Sequence, residues 1–99
     1  MTERFKKISK VLPPILKRHD VKRAAIFGSV ARGDDTARSD IDLLVEFKGR
    51  KSMFDLVSLE LDLTERCGKK VDVVTYNSLH PLLRNRILKE QRAIYGKRS

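Results

Sequence analysis

The chain has one cysteine, Cys67, and no tryptophan in 99 residues. A single thiol excludes an internal disulfide and a cysteine-built zinc cluster, and a reducing cytoplasm is the compartment that suits it. Cys67 lacks the histidine motif that accompanies a catalytic thiol, so its expected role is packing beside Gly68. Aromatic residues make up 6% of the chain, with Tyr76 and Tyr95 the two tyrosines. That scarcity leaves little for the stacking platforms on which single-stranded nucleic acid is held. No apolar run reaches the length of a membrane span, and the opening MTERFKKISKVLPPILKRHD has no signal-peptide core. Repeats and low-complexity tracts are lacking too.

What is abundant is positive charge: 22 Lys and Arg stand against 13 Asp and Glu, a net charge of +9. Such a balance suits an anionic partner, whether nucleotide, nucleic acid or an acidic protein face, or else reflects a plainly basic soluble surface. Arg84, Arg86, Lys89, Arg92, Lys97 and Arg98 concentrate near the end, but helical spacing spreads them around. Nucleic acid is therefore not the expected main partner. The length predicts one small domain over residues 1–99, with no second lobe to hold a substrate.

Hydrophobic periodicity predicts a helix from Thr2, its cap, carrying Phe5, Ile8, Val11, Leu12, Ile15 and Leu16 on one face. Pro13-Pro14 should kink it or split it in two. Strands are expected over Arg23–Phe27, Ile41–Phe47 and Lys70–Thr75. Between the last two, Ser52-Met-Phe-Asp55 resembles a capping box, and Gly68 supplies a helix stop. That helix places Met53, Leu56, Val57, Leu61 and Cys67 on an apolar side, widened by Phe54 and Leu63. Glu60 falls inside the apolar arc, where it either snorkels to the rim, the preferred reading, or faces a partner chain. A last helix containing Leu82, Leu83, Ile87 and Leu88 follows His80, and RAIY near the end suits a short edge strand. The pattern is α/β or α+β, a small mixed sheet flanked by helices.

The chemistry concentrates in GSVARGDDTARSDIDLLVEF. Strand alternation puts Asp40 and Asp42 on one face, roughly 6–7 Å apart along the chain, opposite Ile41, Leu43 and Val45. Asp72 lies mid-strand between Val71 and Val73. On a neighbouring strand it would bring a third carboxylate to the same place. Two unit charges about 4 Å apart repel by about 4 kcal/mol at an effective dielectric near 20. A hard divalent cation with oxygen ligands removes that repulsion, and Mg²⁺ is the usual one beside phosphates. Gly28 at a strand end permits close approach of backbone to phosphate, and Ser29 adds a hydroxyl and the start of a short helix. Arg32 can reach phosphate or lock the loop onto Asp34 or Asp35. Each feature alone has an ordinary account: Gly-Ser and Ser-Asp are common turn dipeptides, and Asp72 could pair with Lys69 or Lys70.

In combination, Gly-Ser, the spacer, Asp-x-Asp and the later KKVDVV resemble the minimal nucleotidyltransferases of the polymerase beta-like superfamily. The likeness runs from about Phe5 to Val74. It implies the nucleotidyltransferase fold, with Gly28 and Ser29 holding a nucleoside triphosphate, ATP or another. It implies that Asp40, Asp42 and Asp72 bind two Mg²⁺ ions, Asp72 also activating an acceptor hydroxyl, and that Arg32 and Ser39 support the site. Members of that family are antitoxins that transfer AMP from ATP to a tyrosine of a HEPN-domain RNase toxin, so a HEPN protein is the implied acceptor. The residues leave open neutralisation by contact alone, and a homo- or hetero-oligomer.

Overall fold

Helix and strand alternate along the chain in a computed structural model that describes residues 3–34, 36 and 38–96. The order is α1 (Glu3–Arg18), β1 (Val21–Phe27), α2 (Gly28–Arg32), β2 (Ile41–Phe47), α3 (Met53–Cys67), β3 (Val71–Thr75), a 3-10 turn (Tyr76–Ser78), α4 (Pro81–Glu90) and β4 (Arg92–Tyr95). The expected Thr2 cap and the basic tail at Lys97 and Arg98 lie outside the described residues. The strands form one mixed sheet in the order β3-β2-β1-β4. β1 is antiparallel to both β2 and β4, while β2 and β3 run parallel. A parallel pair needs a crossover, and α3 supplies it. β2 begins and ends where its alternation predicted; β1 starts earlier, at Val21, and β3 one residue later, at Val71.

One face of the sheet carries the main core. Ala24, Ile26, Ile41, Leu43, Val45, Val71 and Val73 pack against Phe5, Ile8, Leu12, Ile15 and Leu16 of α1 and Leu59 and Leu63 of α3. Full burial of a side chain such as Leu12 or Leu16 contributes about 1.5–3 kcal/mol. That explains why α1 runs unbroken through Pro13-Pro14 instead of splitting. Leu12, Ile15 and Leu16 are buried on both sides of the prolines. Their packing offsets the roughly 3 kcal/mol or more that a helix-interior proline costs.

The predicted inner face of α3 needs correction. Met53, Phe54, Val57 and Leu61 are exposed, and Leu59 and Leu63 are the buried residues, with Leu56 and Cys67 packed alongside. The inward stripe is thus 56, 59, 63 and 67, the side that meets α1 and β3. Glu60 belongs to it at the rim: its Oε2 accepts the Val73 N–H at 3.0 Å, and Thr64 Oγ1 accepts the Val71 N–H at 3.1 Å. Together they cover the free edge of β3, whose unpaired amides would otherwise invite another strand. The capping box is present in full at Ser52 and Asp55, and Gly68 ends the helix in the left-handed conformation. His80 caps α4 through Nδ1, which accepts the Leu82 N–H at 3.1 Å.

Candidate active site

The second face of the sheet positions the site. Strand alternation that sends Ile41, Leu43, Val71 and Val73 into the core turns Asp42 and Asp72 the other way. Asp42 and Asp72 are direct partners across the parallel β2–β3 pair, and Phe27 is the partner of Asp42 across β1–β2. The end of β1 and the starts of β2 and β3 therefore meet. Asp40 stands just outside the ladder and is exposed. Asp72 carries a neighbour of opposite charge, Lys70 Nζ at 3.6 Å from Oδ1, the pairing its ordinary account foresaw. Among the described residues no three acidic, histidine or cysteine side chains draw close enough in this arrangement to hold one metal ion. The expected convergence is thus a facing pair with a third carboxylate beside it. Like charges hold such groups apart.

Electrostatics still couples the trio. Burial, first, and then the charges of Asp72 and Asp40 push the Asp42 carboxyl above its ordinary range; Glu90 adds to this and Arg32 opposes it. These are hard oxygen donors whose mutual repulsion a divalent cation would relieve, so the donor set fits Mg²⁺.

Gly28 follows β1 directly and is held at φ +74, a left-handed conformation that glycine adopts without strain. A Cβ there would collide with the Asp42 carboxylate, so this glycine also makes room for that side chain. It opens α2, whose N-cap position, Phe27, has no side chain to cap it. Glu90, from the end of α4, supplies the missing acceptor: its Oε1 takes the Gly28 N–H at 3.1 Å. The same carboxylate meets Arg32 Nη1 at 3.4 Å, and Arg32 Nε donates to Asp34 at 3.2 Å. Arg32 thus locks onto Asp34, one of the two acids expected; Asp35 lies outside the described residues. The Ser29 hydroxyl has no hydrogen-bond partner among the described residues.

These residues line an open pocket together with α4: Phe27, Gly28, Ser29, Arg32 and Asp42 on one wall, Leu83, Arg86, Ile87 and Glu90 on the other. Ser39 is not part of that lining. Its hydroxyl accepts the Thr36 N–H at 2.8 Å and so shapes the loop before β2. Two of the late basic residues serve the fold: Arg84 Nη1 donates to the Tyr76 carbonyl at 3.0 Å, and Arg92 Nε to the Ala31 carbonyl at 2.8 Å. Glu90 is the site residue that sequence reasoning missed. Sixty-two residues from Gly28, it stands in no motif, and its only signal was an acid at the end of a basic helix.

The nature of the family follows from comparison. A family model described as polymerase beta, nucleotidyltransferase matches residues 7–99. A Methanocaldococcus jannaschii protein named provisionally as a protein adenylyltransferase is 58% identical over 83 residues, 84% of this chain and 89% of that protein. Protein adenylyltransferase MntA of Thermococcus cleftensis is 34% identical over 74 residues, 75% of each. A solved structure described provisionally as a minimal nucleotidyltransferase matches with a TM-score of 0.75 at 38% identity, covering 89% of each chain. A toxin–antitoxin structure with AMP-PNP matches at 0.76 with 20% identity, covering 98% of this chain and 76% of that one, a likeness of fold alone.

Proposed function

The chain belongs to the polymerase beta nucleotidyltransferase family, and on that premise we propose that it is a Mg²⁺-dependent protein adenylyltransferase. Its proposed substrates are ATP and a tyrosine of a HEPN-domain partner, whose toxicity the modification removes. The observation that carries this reading is the meeting of Asp42, Asp72 and Gly28 at one corner of the sheet. Relatives named as protein adenylyltransferases support the reaction type. Solved complexes named as toxin–antitoxin pairs of MntA with HepT support the partner class.

In this reading the tyrosine oxygen attacks the α-phosphorus of ATP, the bond to the bridging oxygen breaks, and pyrophosphate leaves with that electron pair. The tyrosine proton passes to the Asp72 carboxylate. Asp40, Asp42 and Asp72 would hold Mg²⁺, which when bound offsets the charge of the phosphates and of the three carboxylates. Gly28 and Ser29 bring an amide and a free hydroxyl to the triphosphate, and Arg32 adds a cation. Most of the rate in such chemistry comes from positioning and charge complementarity. An acceptor that is itself a bound partner would be positioned by the complex it forms with this chain.

The test is transfer of label to the purified HEPN partner from ATP labelled at the α-phosphate and, separately, at the γ-phosphate. The expected result is label on the partner from the α position alone. Label from the γ position, or none from either, would rule the reaction out.

A second reading, neutralisation by contact, draws on the exposed apolar side chains of α3, where Phe54 is 88% and Met53 72% exposed. Protection of cells by the Asp40→Asn protein separates the two. Lost protection with the complex intact favours chemistry, and full protection favours contact.

A further inference from the structure

Resting on the nucleotide-site reading above, we infer that Glu90 is an internal stand-in for phosphate, a positioning residue that nucleotide must displace. Its carboxylate engages Gly28 N–H and the Arg32 guanidinium together. Both suit a phosphate oxygen, one an amide beside Asp42 that takes its acceptor from Glu90 and the other a cation, in a pocket that Ser29 and Arg86 also line. A carboxylate and a phosphate present the same chemistry to them: anionic oxygens accepting charge-assisted hydrogen bonds. Both cannot occupy the same donors.

The way α4 is held fits such an exchange. The helix has no buried residue, and Leu82 and Leu83 at its start are exposed. Two of its ties to the body are polar: Arg84 on the Tyr76 carbonyl and, at the pocket, Glu90 on α2. Elements with few buried apolar contacts occupy the low-stability end of a fold and move most easily. With Glu90 seated, the Gly28 amide and Arg32 stay in place and the pocket wall formed by Leu83, Arg86 and Ile87 stays close. With phosphate seated, the carboxylate is free and the end of α4 shifts.

The Glu90→Gln substitution tests this directly. Gln keeps an oxygen acceptor of the same reach but loses the charge, and a neutral acceptor holds an amide and a guanidinium less tightly. Calorimetric titration of the full chain with Mg²⁺ and AMP-PNP should give tighter binding for Glu90→Gln than for the natural protein, by about 3- to 10-fold. Inorganic tripolyphosphate should gain likewise, and adenosine should not. In transfer assays the KM for ATP should fall while kcat changes less. A residue that merely braced α4 would instead lower the unfolding midpoint and leave affinity unchanged or weaker, which overturns the inference. If neither protein binds Mg²⁺–AMP-PNP, the nucleotide site itself is refuted; equal binding by both overturns the role of Glu90 alone. A second measurement needs no variant. In the amide spectrum of the natural protein, the Gly28 and Glu90 resonances should shift together as Mg²⁺–AMP-PNP is added. Movement of Gly28 with Glu90 unmoved contradicts the exchange.

Discussion

Two residues show how closely backbone and charge are matched at the corner where β1 ends. Gly28 holds a positive φ and leaves the space that the Asp42 carboxylate fills. Gly28→Ala should therefore cost about 1–2 kcal/mol for the left-handed backbone and displace Asp42 as well. A lowered unfolding midpoint together with a large loss of nucleotide transfer is the expected outcome, measured by thermal melts and label incorporation. Asp42 yields a pH test. Its carboxyl is raised above 3.8, chiefly by burial and then by Asp72 and Asp40. A raised carboxyl favours the protonated folded form, so ionising it opposes folding as pH climbs from about 3.8 through the folded value. Asp42→Asn should raise the unfolding midpoint at pH 7, and that gain should shrink as pH falls to 3.8 and below. An unchanged difference across that range would mean the charge is not the cause. That Gly28, Asp42 and Asp72 lie together was legible from their spacing, because they sit at or next to strand ends; the roles given to them, and to Ser29 and Asp40, belong to the proposal. Glu90 was not legible, because its role depends on where α4 returns to the sheet.

At the level of elements, local chemistry was read more accurately than orientation. The capping box at Ser52, the stop at Gly68, the cap at His80 and the limits of β2 all depend on neighbours in sequence, and all were visible there. Which stripe of α3 turns inward depends on α1 and β3: of the side that periodicity chose, Leu56, Leu63 and Cys67 face the core, while Met53, Phe54, Val57 and Leu61 do not. Met53, Phe54, Val57 and Leu61 form a second apolar stripe that the fold leaves outside. The expected energetics follow that correction. Leu59→Ala and Leu63→Ala should each destabilise by about 2–5 kcal/mol, whereas Phe54→Ala and Leu61→Ala should change stability by about 0.5 kcal/mol or less. Urea unfolding of the four variants distinguishes the two faces, and comparable losses for Phe54 and Leu59 would reverse the assignment. The prolines of α1 teach the same lesson. Pro13-Pro14 would break a helix standing alone, but Leu12, Ile15 and Leu16 anchor both halves.

Across the whole molecule, the sheet gives one face to the main core and turns the proposed site to the other. The main core lies with α1 and α3, while Asp42, Asp72 and Gly28 gather on the opposite side beneath the end of α4. No helix among the described residues is long and apolar enough to cross a membrane. Tyr76, one of the chain's two tyrosines, is a poor acceptor for the proposed reaction. Tyr76 is buried, with its hydroxyl donating to Gln91 Oε1 at 2.8 Å, and that burial pushes its phenol up. The protein incubated alone with Mg²⁺ and labelled ATP should therefore not label itself at Tyr76, as peptide mapping would show.

The most direct test of the central claim is the intact mass of the purified HEPN partner after incubation with this protein, Mg²⁺ and ATP. The account predicts whole increments of AMP on a partner tyrosine, and none when Asp42→Asn replaces the natural protein in a complex that still forms. A partner left unmodified by the natural protein, or modified equally by Asp42→Asn, would contradict it.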